Sequence, residues 1–350
     1  MIPAVPGVVT GDDIAATAAS IAAVQLPDGG VPWPEGHVDA WNHVECLMAM
    51  TAAGLREASS RGWEWIRRHQ RPDGSWPMKV LNGEPLEDRG ESNHAAYVAV
   101  GVWHDLLITG DEAFAREMWP TVGRALDFVT GLQTRRGEIV WEAAPDSYAL
   151  LTGCSSVYQG LRCGVRLAER LGDPQPGWEL AADRLGHVLR EHPEAFADKS
   201  RFSMDWYYPV LGGALRGERA LRRLDDDWDR FAVAGLGIRC VSDQPWVTGA
   251  ESCELVLTLD AVGDDDRALK VFTEMQHLRH PDGGYWTGWQ FVNERHFPNE
   301  RSAYTAAAVI LAADALSRTT PANGVFRDAG GFAEDRASAD CGCQRAASPA

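Results

Sequence analysis

The 350 residues predict an all-α fold, a closed (α/α)6 toroid of six helical hairpins arranged as inner and outer rings. Three observations lead there. Twelve segments carry apolar residues at helical spacing. They alternate between stretches rich in small apolar residues and amphipathic stretches rich in charge. A Gln…Gly…Trp turn follows four helical segments as an internal repeat. Runs of Val, Ile and Thr that would mark strands are missing.

Residues 1–10 read as an N-terminal extension and 11–318 as the toroid. The spacing pairs an outer helix over 11–25 with an inner helix over 41–53, then 55–70 with 92–109, and 111–133 with 152–171. The second half repeats the pattern: 176–192 with 204–216, 217–230 with 248–262, and 264–279 with 301–317. The charges of the outer set suit a solvent-facing side. Inner segments such as Ala303-Tyr-Thr-Ala-Ala-Ala-Val-Ile-Leu-Ala-Ala-Asp-Ala315 are small enough to pack closely round an axis. Gly-Asp pairs at Gly110-Asp111, Gly172-Asp173 and Gly263-Asp264 end inner helices, where glycine takes the left-handed cap. From 319 to 350 the chain turns to Ala, Gly, Ser, Asp and Arg without periodicity, which predicts a disordered tail.

The repeated turn is seen at Gln25–Trp33, Gln70–Trp76, Gln133–Trp141 and Gln276–Trp286. In Gln70-Arg-Pro-Asp-Gly-Ser-Trp76 the glutamine can bond a free helix-end carbonyl, Pro-Asp-Gly breaks the helix, and the tryptophan covers the turn. That is a structural staple.

A net charge of −17 argues against sequence-independent binding to nucleic acid or anionic lipid, since both depend on Lys and Arg. No apolar run reaches the roughly 18 residues of a membrane span. The N-terminus has no basic stretch followed by an apolar one, so no secretory signal is read. Seven cysteines without a framework of short spacings read as reduced thiols of a soluble, cytoplasmic protein, and Cys341-Gly-Cys343 as incidental.

Function depends on the mouth where loops and first turns before the inner helices converge. The first half brings Trp33, Asp39, Trp41, His43, Glu45, Glu91, Asn93, His94, Tyr97, Trp141, Glu142, Tyr148 and Tyr158. The second brings Asp205, Trp206, Tyr207, Tyr208, Asp243, Trp246, Glu251, Cys253, Glu254, Trp286, Trp289, Arg301 and Tyr304. Two chemistries want aromatics interleaved with carboxylates. A carbocation is stabilised by aromatic faces while a carboxylic acid moves the proton. A sugar ring stacks on the same faces while two carboxylates cleave its glycosidic bond. Ordinary packing and helix capping account for part of the set.

The segment Arg61–Trp76 resembles the QW motif of squalene cyclases, and the repeat pattern over 11–317 is similar to the terpenoid cyclase and protein prenyltransferase superfamily. That resemblance implies a prenyltransferase or cyclase acting on an isoprenoid. Trp41, Trp141, Tyr207, Tyr208, Trp246 and Trp286 would line its cavity with Glu45, Tyr97 and Tyr304, and Arg301 would hold a diphosphate. Asp205, Asp243, Glu251 and Glu254 are then the acid and base candidates. The family's Zn2+ ligand pattern, a carboxylate two residues before a thiol, falls on Glu251 and Cys253, with Tyr304 where the histidine belongs. The same residues also read as a buried cysteine beside a capping glutamate. Asp225-Asp-Asp-Trp-Asp229 and Asp264-Asp-Asp266 do not fit the cyclase acid motif, and the paired Mg2+ motifs of the other cyclase class are not found.

A second resemblance, over Ala96–Glu142, is to six-hairpin glycosidases, and it implies that Glu142 is a general acid. Its partner would be Glu45, Asp243 or Glu251, because no carboxylate precedes the last inner helix until Glu294 and Glu300. A third reading is a non-catalytic binding toroid. The substrate expected is thus a small molecule, isoprenoid or sugar.

Overall fold

The computed structural model describes residues 1–330. Six helices form an inner ring: α2 (Ala40–Ala52), α4 (Ser92–Thr109), α6 (Leu151–Leu171), α8 (Ser203–Leu211), α11 (Gly249–Ala261) and α13 (Ala303–Ser317). Each packs on the next, and α13 returns to α2, so the ring is closed. Outside it stand α1 (Gly11–Val24), α3 (Arg56–His69), α5 (Glu112–Gly131), α7 (Pro176–Glu191), α9 (Gly217–Asp226) and α12 (Asp265–Glu274), with a single turn α10 (Trp228–Phe231). The predicted (α/α)6 toroid is the fold.

Small residues do in the inner ring what their composition implies. A Cβ on Gly160 would lie 2.5 Å from the Ala96 carbonyl oxygen, and one on Gly212 would lie 2.2 Å from that of Ser155. Adjacent inner helices therefore touch backbone to backbone. Inner helices hand over to outer ones through short turns, with Gly110 and Gly172 in left-handed caps. Outer helices return to inner ones through long loops, all at the inner N-terminal end. Those loops build one mouth.

The loops also hold strands that the composition hides. β1 (Lys79–Leu81) pairs with β2 (Glu84–Glu87), and β3 (Ala232–Val233), β4 (Gly237–Arg239), β5 (Trp246–Thr248), β6 (Gly288–Gln290) and β7 (Arg295–His296) form an antiparallel sheet in chain order. Strands this short show no period-two signal. Three predicted helices are shorter than their periodicity: 204–216 ends at Leu211, 217–230 divides at Asp227 into α9 and α10, and 264–279 ends in the 3-10 turn Met275–Leu278.

The staples are rim joints rather than helix caps. Gln70 Nε2 donates to the Gly74 carbonyl at 3.0 Å and to the Thr121 carbonyl of α5 at 2.8 Å. Gln25 does the same to Gly29 and Ala58, and Gln133 to Gly137 and Ala181, all at 2.9 Å. Each ties its turn to the next outer helix, so the expected bond to its own helix end is replaced. Gln276 alone of the four keeps it, donating to the Phe272 carbonyl at 3.0 Å. Gly74, at φ +94°, presses so close that a Cβ would sit 2.0 Å from the Arg124 carbonyl oxygen. Trp76 is buried and donates to the Ile66 carbonyl at 2.8 Å, the covering role expected of it.

Residues 319–330, which composition assigns to the tail, pack across the inner C-terminal ends. Val325 and Phe326 are buried there, Arg216 donates to the Phe326 carbonyl at 2.8 Å, and Arg327 meets Asp260 at 3.2 Å. Thr320 adds a further tie, its amide donating to Asp314 at 2.8 Å. Residues 331–350, with Cys341 and Cys343, lie outside the described residues. No helix among the described residues is long and apolar enough to cross a membrane.

Candidate active site

Two carboxylate clusters meet at the mouth. The deeper centres on Glu254, in the second turn of α11. Its Oε1 accepts from Tyr208 at 2.8 Å and from Tyr304 at 2.5 Å, and its Oε2 accepts from Tyr207. Burial, followed by the charge of Glu251, pushes the Glu254 carboxyl up to about 7 against the lowering pull of the tyrosines. Glu45 of α2 lies buried nearby, with the Tyr97 hydroxyl 3.5 Å away, and burial with the neighbouring Glu254 charge holds its carboxyl well above the usual range. Burial first, then Glu254, also raises the phenols of Tyr207, Tyr208 and Tyr304, which therefore remain O–H donors. The Trp41 ring lies 5.8 Å from Tyr97 and 6.1 Å from Tyr208, walling the same space.

The shallower cluster centres on Asp39, the N-cap of α2. Its Oδ1 accepts from the Asn42 amide at 2.9 Å, and its Oδ2 accepts from Asn42 Nδ2 at 2.7 Å and from Trp33 Nε1 at 2.5 Å. His94 Nε2 stands 4.0 Å from Asp39 and 3.3 Å from Glu91. The Trp33 ring, 6.0 Å from that of Tyr304, joins the two clusters. Between them a recess is lined by Val31, Pro32, Trp33, Asn42, Cys46, Ser302, Ala303 and Tyr304.

The toroid thus brings together Trp41, Glu45, Tyr97, Tyr207, Tyr208, Glu254 and Tyr304, with Glu251 one turn above. It leaves others apart. Asp243 is exposed and paired with Arg201 at 2.8 Å. Asp205 is buried against α6, accepting from Thr152 at 2.7 Å, and burial raises its carboxyl. Arg301 is exposed and engages Asp282, with His280 at 2.9 Å, so its guanidinium is not free for a diphosphate. Trp286 stacks on His296 at 4.1 Å and Trp246 lies 4.9 Å from Phe297, both within the loop sheet. Trp141 and Glu142 stand at the rim, with Arg89 3.1 Å from Glu142.

The Zn2+ pattern does not assemble. Two residues apart on a helix face in nearly opposite directions. Cys253 Sγ is buried 3.9 Å from Met275 Sδ, beside the outer ring, and Tyr304 serves Glu254. Among the described residues no group of three or more His, Cys, Asp or Glu is placed to hold a metal ion, which covers Mg2+ as well. Asp39, His94 and Trp33 were legible only as three members of a crowded mouth. The sharper signal was an N-cap aspartate just after the first staple's tryptophan.

No protein-family model matches the chain. It is 56% identical over 330 residues to the MMP endo-(1,4)-3-O-methyl-alpha-D-mannosidase of Mycolicibacterium hassiacum, covering 93% of this chain and 92% of that protein. The chain belongs to this mannosidase family. A weaker match, 24% identical over 163 residues, is to an uncharacterized glycosyl hydrolase of Methanocaldococcus jannaschii, covering 45% of this chain and 26% of that protein. Among solved structures, a glycosidase in complex with glucose aligns with TM-score 0.69 at 13% identity, over 90% of this chain and 97% of that one. A D-mannose isomerase aligns with TM-score 0.67 at 14% identity, over 88% and 97%. At such identity these two share the fold.

Membership of the mannosidase family overturns the terpenoid cyclase and prenyltransferase reading, and the transferase or cyclase activity with it. The physical reason lies in the staples. The QW-like turn joins outer helices at the rim and touches no carboxylate of the deeper cluster, so it reports the toroid and not the chemistry inside.

Proposed function

We propose that this protein is a glycoside hydrolase that cuts α-(1,4) bonds within chains of 3-O-methyl-mannose, with Glu254 as general acid and Asp39 as general base. The observation that carries this reading is a pair of carboxylates linked through their aromatic partners: Trp33 bonds Asp39, Tyr304 bonds Glu254, and the two rings lie 6.0 Å apart. Glu254, pushed up to about 7, retains a proton near neutrality. Asp39, at the N-cap of α2, accepts from the Asn42 amide, Asn42 Nδ2 and Trp33 Nε1, which fix its carboxylate in place. The kinship with the Mycolicibacterium hassiacum mannosidase supplies the substrate class.

In this mechanism the aromatic walls Trp33, Trp41 and Tyr304 stack on the sugar. Glu254 gives its proton to the glycosidic oxygen as the bond to the anomeric carbon breaks. Asp39 takes a proton from the water that attacks that carbon, so one bond is exchanged for another with inverted configuration. The three tyrosines hold Glu254 in one orientation.

Incubation with defined 3-O-methyl-mannose oligosaccharides, read by mass spectrometry and by NMR of the newly formed anomer, tests the reading. Glu254→Gln and Asp39→Asn should each lower kcat by about 10^2 to 10^4, and azide should restore turnover to an Asp39→Ala variant. Wild-type protein that leaves every such chain intact, or variants that keep most of the activity, would sink it.

A further inference from the structure

The lid of the third staple is paired with an exposed aromatic ring. Trp76 is buried in its turn and Trp33 is turned to Asp39. Trp141 is only partly buried and takes no part in the hydrophobic core. Its ring lies 5.8 Å from that of Tyr148, which is 44% exposed. The backbone beneath the pair is fixed: the Trp141 amide donates to the Tyr148 carbonyl, and the Ser92 amide to the Trp141 carbonyl, each at 2.8 Å. Polar groups flank the rings. The Arg89 guanidinium lies 5.6 Å from the Trp141 ring and bonds Glu142, and Lys199 Nζ lies 5.9 Å from Tyr148.

We infer that Trp141 and Tyr148 form a distal sugar subsite, which takes further units of an O-methylated mannose chain beyond the unit held at Asp39 and Glu254. The inference rests on the hydrolase reading and extends it from the cleaved bond to the length of chain bound. Continuity carries it. Ser92 opens α4, the adjoining Glu91 stands 3.3 Å from His94, and His94 reaches Asp39 at 4.0 Å, so the platform adjoins the catalytic recess. A sugar face stacks on an aromatic ring, and a methyl ether in place of a hydroxyl enlarges that apolar face. Arg89, Glu142 and Lys199 are placed to bond the hydroxyls that remain. A chain cut internally needs holding on both sides of the bond, and the Trp141–Tyr148 pair stands outside the residues that line the recess.

Calorimetry on Glu254→Gln protein, which would bind chains without cutting them, tests this with a 3-O-methyl-mannose disaccharide and a longer oligosaccharide. The longer chain should bind about tenfold tighter, and Tyr148→Ala in the same background should bring that ratio close to one. Trp141→Ala should do likewise, and Tyr148, being exposed, can be removed without unfolding. A ratio unchanged by both substitutions, or no advantage of length at all, overturns the subsite alone. Failure of both chains to bind overturns the hydrolase reading and the subsite with it.

Discussion

The Tyr304 hydroxyl donates to Glu254 Oε1 at 2.5 Å, across from the first turn of α13 to the second turn of α11. Its bond lowers the Glu254 carboxyl against the pull of burial. Tyr304→Phe removes the donor and keeps the ring, so the proton should be held more tightly. The alkaline limb of the kcat profile should move upward while kcat falls by about tenfold. A limb that stays in place would show that Glu254 is not the group titrating in turnover.

Glu254 should also cost stability at high pH. Its folded value of about 7 lies above the ordinary 4.5, so folding favours the protonated form. That contribution is full below about 4.5 and is lost as pH rises through about 7, where the deficit reaches roughly 3 kcal/mol. Glu254→Gln should therefore raise Tm at pH 8 and change it little at pH 4. Melting curves at the two pH values check this.

His43 should act in the other direction. Its Nδ1 accepts from the Val31 amide and its Nε2 donates to the Gly62 carbonyl, both at 3.0 Å, which requires the neutral ring. Burial lowers it to about 4, below the ordinary 6.5. Its stabilising contribution is present above 6.5 and is lost as pH falls through about 4. Tm should drop over that interval, and the drop should be shallower in His43→Gln.

A pair of glycine substitutions separates the rim joint from ordinary helix. Gly74→Ala forces a side chain onto φ +94° and into the Arg124 backbone, and should cost about 3 kcal/mol or more. Gly123→Ala, inside α5 with nothing within 4 Å of its Cβ, should stabilise by up to about 1 kcal/mol. Denaturant unfolding of the two variants tests both signs.

The reach of the sequence differs between fold and site. Helical spacing and Gly-Asp stops placed all twelve ring helices, because both signals lie within one turn of chain. The single turn α10 and the strands β3–β7 were not legible, since elements of two to four residues carry too little pattern. Among the site candidates, the Tyr207-Tyr208 pair and Glu254 were named from their place at inner-helix starts. Asp243 was named on the same ground, yet it sits on an exposed turn beside Arg201. A loop position does not reveal whether a carboxylate points inward.

By itself, then, the sequence determined a toroid with small-residue inner helices and four Gln–Trp turns, because periodicity and turn chemistry are local. Only the tertiary structure decided which acids meet which aromatic partners. Glu254 meets Tyr207, Tyr208 and Tyr304 from 46 to 50 residues away, and Trp33 turns from its staple to Asp39. Such meetings depend on how each inner helix is rotated about its own axis in the closed ring, and packing against both neighbours sets that rotation.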